Sequence, residues 1–230
     1  MQPYLFPYIG YFQLLNAVDR FVVYDDVAFI KQGWVNRNRI LIHHQPAYFT
    51  VPVKHASSFS LIRDTLVNDD RRHARWVEKT LTTFSNTYRR APEFARVFPI
   101  VEAVFTRQTS RVAELAVASL KAVAELLDIR TEWVESSSQY GNTGLKGEDR
   151  VLAICLAEGA TEYVNAAGGR ELYARDRFEA AGLRLRFIQS APIEYRQFSS
   201  AFVPSLSIVD VLMFNPLARV RTFLDACELT

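Results

Sequence analysis

Three consecutive stretches of helical period, residues 72–87, 92–106 and 109–128, occupy the middle of the chain. On either side of them, short apolar runs alternate with helical segments. That order excludes a plain helical bundle and an all-β fold. It predicts an α/β domain with a mixed, partly parallel sheet flanked by helices, into which a helical block at about 72–128 is inserted. One domain over 1–230 is expected; the alternative is two domains divided near residue 70. Because the first and last thirds are both α/β, they are expected to share one sheet.

The chain opens on Gln2-Pro3-Tyr4-Leu5-Phe6-Pro7-Tyr8-Ile9-Gly10-Tyr11-Phe12, where two prolines forbid a regular helix through Pro7. Helical periodicity begins near Gly10, with Phe12, Leu14, Leu15 and Val18 as its apolar set. Asp19-Arg20 closes it. Phe21-Val22-Val23-Tyr24 is a short β run ending at Asp25-Asp26. A polar, aromatic-flanked loop covers 31–39. Residues 40–42 and 48–53 read as a hairpin turning around His44-Gln45-Pro46. Pro92 fits a first helical turn. The Ser-, Gly- and Asn-rich stretch 136–147 is a loop. Beyond it come a helix at about 148–158, a strand at 163–165, a turn at Gly168-Gly169 and a helix at about 175–181. A strand at 183–188 and a helix pair at 206–214 and 216–227 complete the pattern.

The chain has 230 residues, 49% hydrophobic and 23% charged, the balance of an ordinary globular protein. A net charge of +2 gives no reason to expect nucleic-acid binding. Arg71-Arg72 and Arg89-Arg90 read as solvated helix faces. Cys155 and Cys227 lie in no metal-ligand spacing, and Cys155 in its apolar run reads as a small buried hydrophobe. His43, His44, His55 and His73 show no metal-binding spacing either. No metal site is expected, and no cofactor follows. The N-terminus lacks a signal-peptide pattern and no run is long enough to span a bilayer, so a cytoplasmic protein without membrane insertion is expected.

Five constellations could carry chemistry. In Pro7-Tyr8-Ile9-Gly10-Tyr11, a helix start offers free N–H groups to an anion, and Gly10 would admit close approach. Its aromatics could equally just pack. Asp25-Asp26 follow a β run, where open α/β sheets bind ligands. An adjacent pair faces opposite ways, so one carboxylate at most points into a given site. It could hold sugar hydroxyls or an ion, or act as a base. The loop 31–39 combines phosphate or carboxylate donors (Lys31, Arg37, Arg39) with amides (Asn36, Asn38) and a stacking face, Trp34. Lys146, Asp149 and Arg150, with Asn165, Gly168, Gly169, Arg170 and Tyr173, could close over the same crevice, or be loop punctuation with ordinary charge pairing. Tyr195, Gln197, Ser207, Asp210 and Asn215 form the fifth; Ser207 and Asp210 are expected to cap and charge a helix start.

These residues resemble a family. The opening from Gln2 to Leu15, the run from Phe21 to Val27 and Trp34-Val-Asn-Arg-Asn-Arg-Ile40 look like the WbqC-like family. So do Asn165 with Gly168-Gly169-Arg170 and Tyr173, Tyr195-Arg-Gln197, and the stretch from Leu206 to Asn215. The resemblance runs essentially end to end. It implies enzymes associated with O-antigen and other lipopolysaccharide biosynthesis clusters, some near amino-sugar and natural-product pathways. Members usually carry a few apolar residues before the Gln-Pro, expected to form a first strand; this sequence reads Met1-Gln2.

By analogy, the strand, turn, helix and acidic strand end resemble the start of Rossmann-like (HUP-like) nucleotidylyltransferases and pantothenate-synthetase-like ligases. Tyr8-Ile9-Gly10-Tyr11 would stand where their His-x-Gly-His stands. Positive charge would then come from Lys31, Arg37, Arg39 or Lys54.

The expected activity is that of a transferase forming an acyl or amide bond on an activated sugar or amine. Its partners would be small molecules, including a carrier-bound acyl group. Asp25, Asp26 and Tyr11 are the expected catalytic residues. Substrate contacts are expected from Gln2, Tyr4, Tyr8 and Gly10, from Lys31, Trp34, Asn36, Arg37, Asn38 and Lys54, and from Asn165, Arg170, Tyr173, Tyr195 and Gln197. The alternatives are a nucleotide-dependent adenylating or ligase enzyme and a non-catalytic partner in a polysaccharide assembly complex.

Overall fold

A computed structural model describes residues 1–54, 57, 59–69, 75–198 and 201–230. The chain starts as an irregular segment bent at Leu5-Phe6 and enters helix α1 (Ile9–Asn16) through Tyr8, which follows Pro7. Strand β1 (Arg20–Val22) follows, then the hairpin of β2 (Arg37–Ile42) and β3 (Gln45–Thr50). The helical block comprises α2 (Trp76–Tyr88), α3 (Phe94–Phe105) and α4 (Val112–Leu126). It leads into β4 (Glu132–Val134), which pairs parallel with β1 in the register Phe21 to Trp133. Hairpin and helices together are thus the crossover that two parallel strands require. Strand β4 escaped the sequence reading, because three residues behind a long helix leave too short a run for period-2 alternation to show.

The last third contains α5 (Gly147–Ala157), β5 (Glu162–Ala166), α6 (Arg175–Ala180), β6 (Arg184–Ser190), α7 (Ile208–Phe214), α8 (Leu217–Leu224) and β7 (Cys227–Leu229). Strands β5 and β6 pair parallel, and β7 adds antiparallel to β6. The mixed α/β class with flanking helices therefore stands. The shared sheet does not: among the described residues β1 ladders with β4, and β5 with β6 and β7, as separate sheets. The edge of β1 facing away from β4 is taken by Met1. Its amino group donates to the Val22 carbonyl at 2.7 Å and its carbonyl accepts from Tyr24 N–H at 2.8 Å. The final helix also stops at Leu224, three residues before the expected end, since Cys227–Leu229 are drawn into β6's open edge.

The hairpin turns on His43 and His44, both at positive φ (48° and 63°), one residue earlier than expected. Two left-handed residues match the twist of a two-residue hairpin. Pro92 lies ahead of α3 instead of inside its first turn. His55, His73 and Arg71-Arg72 lie outside the described residues. Arg89 and Arg90 are exposed at the end of α2, as expected.

The main core draws on residues from Leu5 to Leu224, on both sides of residue 70. At its centre Phe6, Phe49, Phe84 and Phe105 pack together, with centroids 5.0 Å (Phe49–Phe84) to 6.2 Å (Phe49–Phe105) apart. They join the N-terminal segment, the hairpin and the helical block. Truncating one such buried ring to Ala costs about 3–5 kcal/mol. A second cluster, Leu152, Cys155, Phe178, Leu183, Leu185 and Phe187, seals α5 and α6 against β6. Burial there pushes the Cys155 thiol up to about 11, consistent with a packing role.

Candidate functional site

The parallel pair β1–β4 delivers two polar segments to the same, carboxyl end. Beyond β1 run Tyr24, Asp25 and Asp26; beyond β4 run Ser136, Ser137 and Ser138. The two aspartates point apart, as neighbours in extended chain do. Asp25 Oδ1 accepts from Ser136 Oγ at 2.7 Å, and the Ser136 and Ser138 hydroxyls are 2.8 Å apart. Asp26 Oδ1 accepts from Ser137 Oγ, and Oδ2 from Arg150 Nη2 at 2.5 Å. Arg150, on α5, also donates from Nε to Asn142 Oδ1 at 3.0 Å and from Nη1 to the Asp26 carbonyl at 3.4 Å. The Arg150 and Asp26 side chains are 4% and 0% exposed. This ion pair is a dry post in the wall.

Among the described residues Asp25, unlike its neighbour, forms no salt bridge with a side-chain cation, although the buried Met1 amino group lies near enough to interact with it electrostatically. Burial raises its pKa above the ordinary 3.8, partly offset by the Ser136 hydrogen bond and backbone N–H groups. A carboxylate so placed is a better proton acceptor than one in water. Tyr24 lies under the Arg150 guanidinium, 5.0 Å from ring centroid to Cζ. Tyr173, beyond β5, is close enough to Tyr24 to perturb it electrostatically, and it accepts from the Tyr163 hydroxyl at 3.4 Å. The loop after β5 therefore comes near Tyr24, at the end of β1, with Tyr173. Its other two expected members turn elsewhere. Asn165 Oδ1 accepts from Ala166 N–H at 2.7 Å, and Arg170 donates to Thr230 Oγ1 at 2.5 Å and lies over Phe187.

The aromatic turn is a brace before it is anything else. Leu5 and Phe6 are buried, and Phe6 sits at φ 42°. That left-handed backbone is disfavoured for a side chain. It is held by Ser119 Oγ, which accepts from Phe6 N–H at 2.9 Å, and by Ser207 Oγ, which donates to the Phe6 carbonyl at 2.7 Å. Ser207 also caps α7 through Val209 N–H, as expected. Tyr11 is 1% exposed and donates to the Gln2 carbonyl at 2.7 Å; Tyr4 packs on it at 5.6 Å. A Cβ on Gly10 would lie 2.4 Å from Tyr8 Cε2 and 2.8 Å from Ser190 Oγ, so a larger residue there makes these side chains shift. The space over Gly10 is filled by the Tyr8 ring, itself 40% exposed.

In the loop 31–39 and β2, strand alternation sorts the polar residues onto two faces. Asn38 points to the core, where its Nδ2 donates to the Leu5 carbonyl at 3.1 Å. Asn36 Nδ2 donates to the Val51 carbonyl at 2.8 Å. Arg37 and Arg39 share the opposite face with Trp34 and Tyr48, whose rings are 6.2 Å apart. Lys31 is exposed, and Lys54 pairs with Asp69 at 2.5 Å.

Tyr195 and Gln197 belong to a different network. The buried Asp210 carboxylate accepts from Tyr195 Oη at 2.7 Å, Tyr88 Oη at 2.8 Å and Gln197 Nε2 at 2.9 Å. Burial raises the Asp210 pKa and these three bonds oppose it. Among the described residues it shares no hydrogen bond with the Asp25–Asp26 cluster, and it ties Tyr195 and Gln197 to α7 and α2. Asp210 thus does more than charge a helix start.

The sequence model of the WbqC-like protein family matches residues 2–222. The chain belongs to the WbqC-like protein family. It is also 30% identical over 225 residues, 96% of this chain and 94% of the other, to the Uncharacterized protein Rv1507c of Mycobacterium tuberculosis (strain ATCC 25618 / H37Rv). No solved structure matches it.

Within this WbqC-like chain, the sequence reading placed Asp25 and Asp26 at a strand end correctly but left their partners scattered. Ser136 and Ser137 read as loop, and Arg150 as ordinary charge pairing or a crevice residue. No local pattern could join them, since the Asp26–Arg150 contact spans 124 residues. Tyr48 read only as a strand residue; its place opposite Arg39 depends on hairpin register. Among the described residues, no group of three or more His, Cys, Asp or Glu is arranged to hold a metal ion, and no helix is long and apolar enough to cross a membrane.

Proposed function

We propose that this WbqC-like protein is a transferase that forms an acyl or amide bond on an activated sugar or amine, with Asp25 as general base. One observation carries the reading. Asp25 is a buried carboxylate with a raised pKa and, among the described residues, no side-chain salt bridge, at the carboxyl end of parallel strands, beside a neighbour that is ion-paired with Arg150.

The step balances simply. The acceptor's amine or hydroxyl attacks the activated acyl carbon, forming the new N–C or O–C bond. Asp25 takes the proton that the nucleophile loses, and the carrier leaves with the electron pair of the broken acyl bond. Ser136 orients the Asp25 carboxylate, and Ser138 extends that chain of hydroxyls. Asp26 and Arg150 hold the strand end rigid so that Asp25 keeps its aim. Tyr24 and Tyr173 wall the crevice and limit water.

The test is a panel of amino sugars and nucleotide-linked amino sugars incubated with acyl thioesters and acyl phosphates, read by mass spectrometry. The wild type is expected to yield an acylated product that Asp25→Asn does not, while the variant melts normally. A variant that turns over at the wild-type rate refutes Asp25 as base. A wild type inert across the panel refutes the transferase.

A further inference from the structure

The outer face of the β2–β3 hairpin carries a cluster of two arginines and two exposed aromatic rings. Arg37 and Arg39 project from the same side of β2, two residues apart, roughly 7 Å along the strand. Arg37 Cζ lies 4.3 Å over the Tyr48 ring, and Arg39 Cζ 5.9 Å from the Trp34 ring. Among the described residues, neither guanidinium meets a carboxylate. Each reaches only a backbone carbonyl: Arg37 that of Gln32, and Arg39 that of Ser205 at 3.1 Å. The Nε of each is buried without any hydrogen-bond partner. Both heads remain partly accessible, and Trp34 and Tyr48 are 36% and 50% exposed.

Two features separate this face from an ordinary solvated strand. Among the described residues some arginines are ion-paired, as Arg20 is with Glu132 and Glu158, Arg177 with Glu148 and Asp149, and Arg221 with Asp128, while others such as Arg89 and Arg90 form no salt bridge. What sets Arg37 and Arg39 apart is that they stand side by side against exposed rings, each with a buried Nε that has no hydrogen-bond partner among the described residues. Large aromatics are also costly to leave in water, and a pair of them at an exposed strand face offers stacking area.

We propose that this face binds the nucleoside diphosphate of an activated substrate, the base against Trp34 and Tyr48 and the two phosphates against Arg37 and Arg39. Guanidinium is the side chain best matched to phosphate, by paired N–H donors and permanent charge. Two such forks suit two linked phosphates, and flat rings suit a base whatever its sequence of ring atoms. A nucleic-acid strand would need a longer basic track than two residues on a chain of net charge +2. The inference rests on the transferase reading for the word "substrate", and it names the handle by which that substrate is held.

Calorimetric titration of the full chain tests it, using ADP, GDP, UDP, CDP and dTDP, with inorganic pyrophosphate and the free nucleosides alongside. At least one nucleoside diphosphate is expected to bind saturably. Arg37→Gln and Arg39→Gln should each weaken it about tenfold or more, the loss of one charge-assisted hydrogen-bonding group. Arg39→Lys should recover part of that loss, and Trp34→Leu should weaken the nucleotide but not pyrophosphate. Asp25→Asn should bind as the wild type does, so a loss of turnover and a loss of binding are read separately. No saturable binding by any of the five overturns the proposal. So does binding that survives both arginine substitutions, or pyrophosphate binding as tight as the nucleotide's and indifferent to Trp34.

Discussion

Replacing Asp26 by Asn removes one charge and leaves the shape. The Ser137 hydroxyl can still donate to Oδ1, and the packing volume is unchanged. What is lost is the partner of Arg150, whose side chain is 4% exposed and has no other carboxylate among its hydrogen bonds. Breaking a buried pair from one side costs about 3–5 kcal/mol, because the remaining charge stays buried. An exposed pair such as Arg75–Glu78 contributes far less, because water and salt screen it. For a chain of this size the larger figure corresponds to a fall in melting temperature of roughly 6–20 °C. Arg150→Met should cost a similar amount, and the double variant Asp26→Asn/Arg150→Met should lose much less than the sum. Urea unfolding of the four proteins gives each value from the midpoint and slope. Single variants that each cost under about 1 kcal/mol, or a double variant that is simply additive, would refute the reasoning that this pair is dry and coupled.

Other consequences follow from the same geometry. Gly10→Ala forces a Cβ to 2.4 Å from the Tyr8 ring and 2.8 Å from Ser190, so overpacking should cost about 1–3 kcal/mol. A thermal melt identical to the wild type would show that Tyr8 moves aside freely. Because burial raises the folded-state pKa of Asp25, its protonated form is favoured by folding. Relative to Asp25→Asn, the wild type should be most stable below the ordinary 3.8 and lose that advantage as pH rises through the raised folded value. Unfolding both proteins across acidic pH checks the sign, and a difference independent of pH would remove the perturbation. Turnover should show the matching acid limb, rising with pH above the ordinary carboxylate range.

Local rules fixed much of the frame in advance. Two prolines kept residues 2–7 out of a helix, 3.6-residue periodicity drew the helical block, and the apolar run ending in Asp25-Asp26 marked a strand with acid at its tip. Those signals are short-range, so residues within a turn or two suffice to produce them. The sheet partners were not legible. β1 could pair with β4 only because the helical block returns the chain to it 112 residues later, at Glu132. β7 formed only because β6 had an open edge.

The site divides in the same way. That Asp25 and Asp26 end a strand and diverge is a property of the dipeptide in extended chain. Which of them is neutralised was decided by Arg150, from 124 residues away, and by Ser137. Likewise Arg37 and Arg39 share a face by strand period alone, but Tyr48 joins them by hairpin register and Ser205 by a contact across 166 residues. The sequence determined which chemical groups each segment offers and which way they alternate. The tertiary structure decided which remain free, because hydrogen bonds and ion pairs in a buried site are made by whatever distant segment the packing brings within about 3 Å.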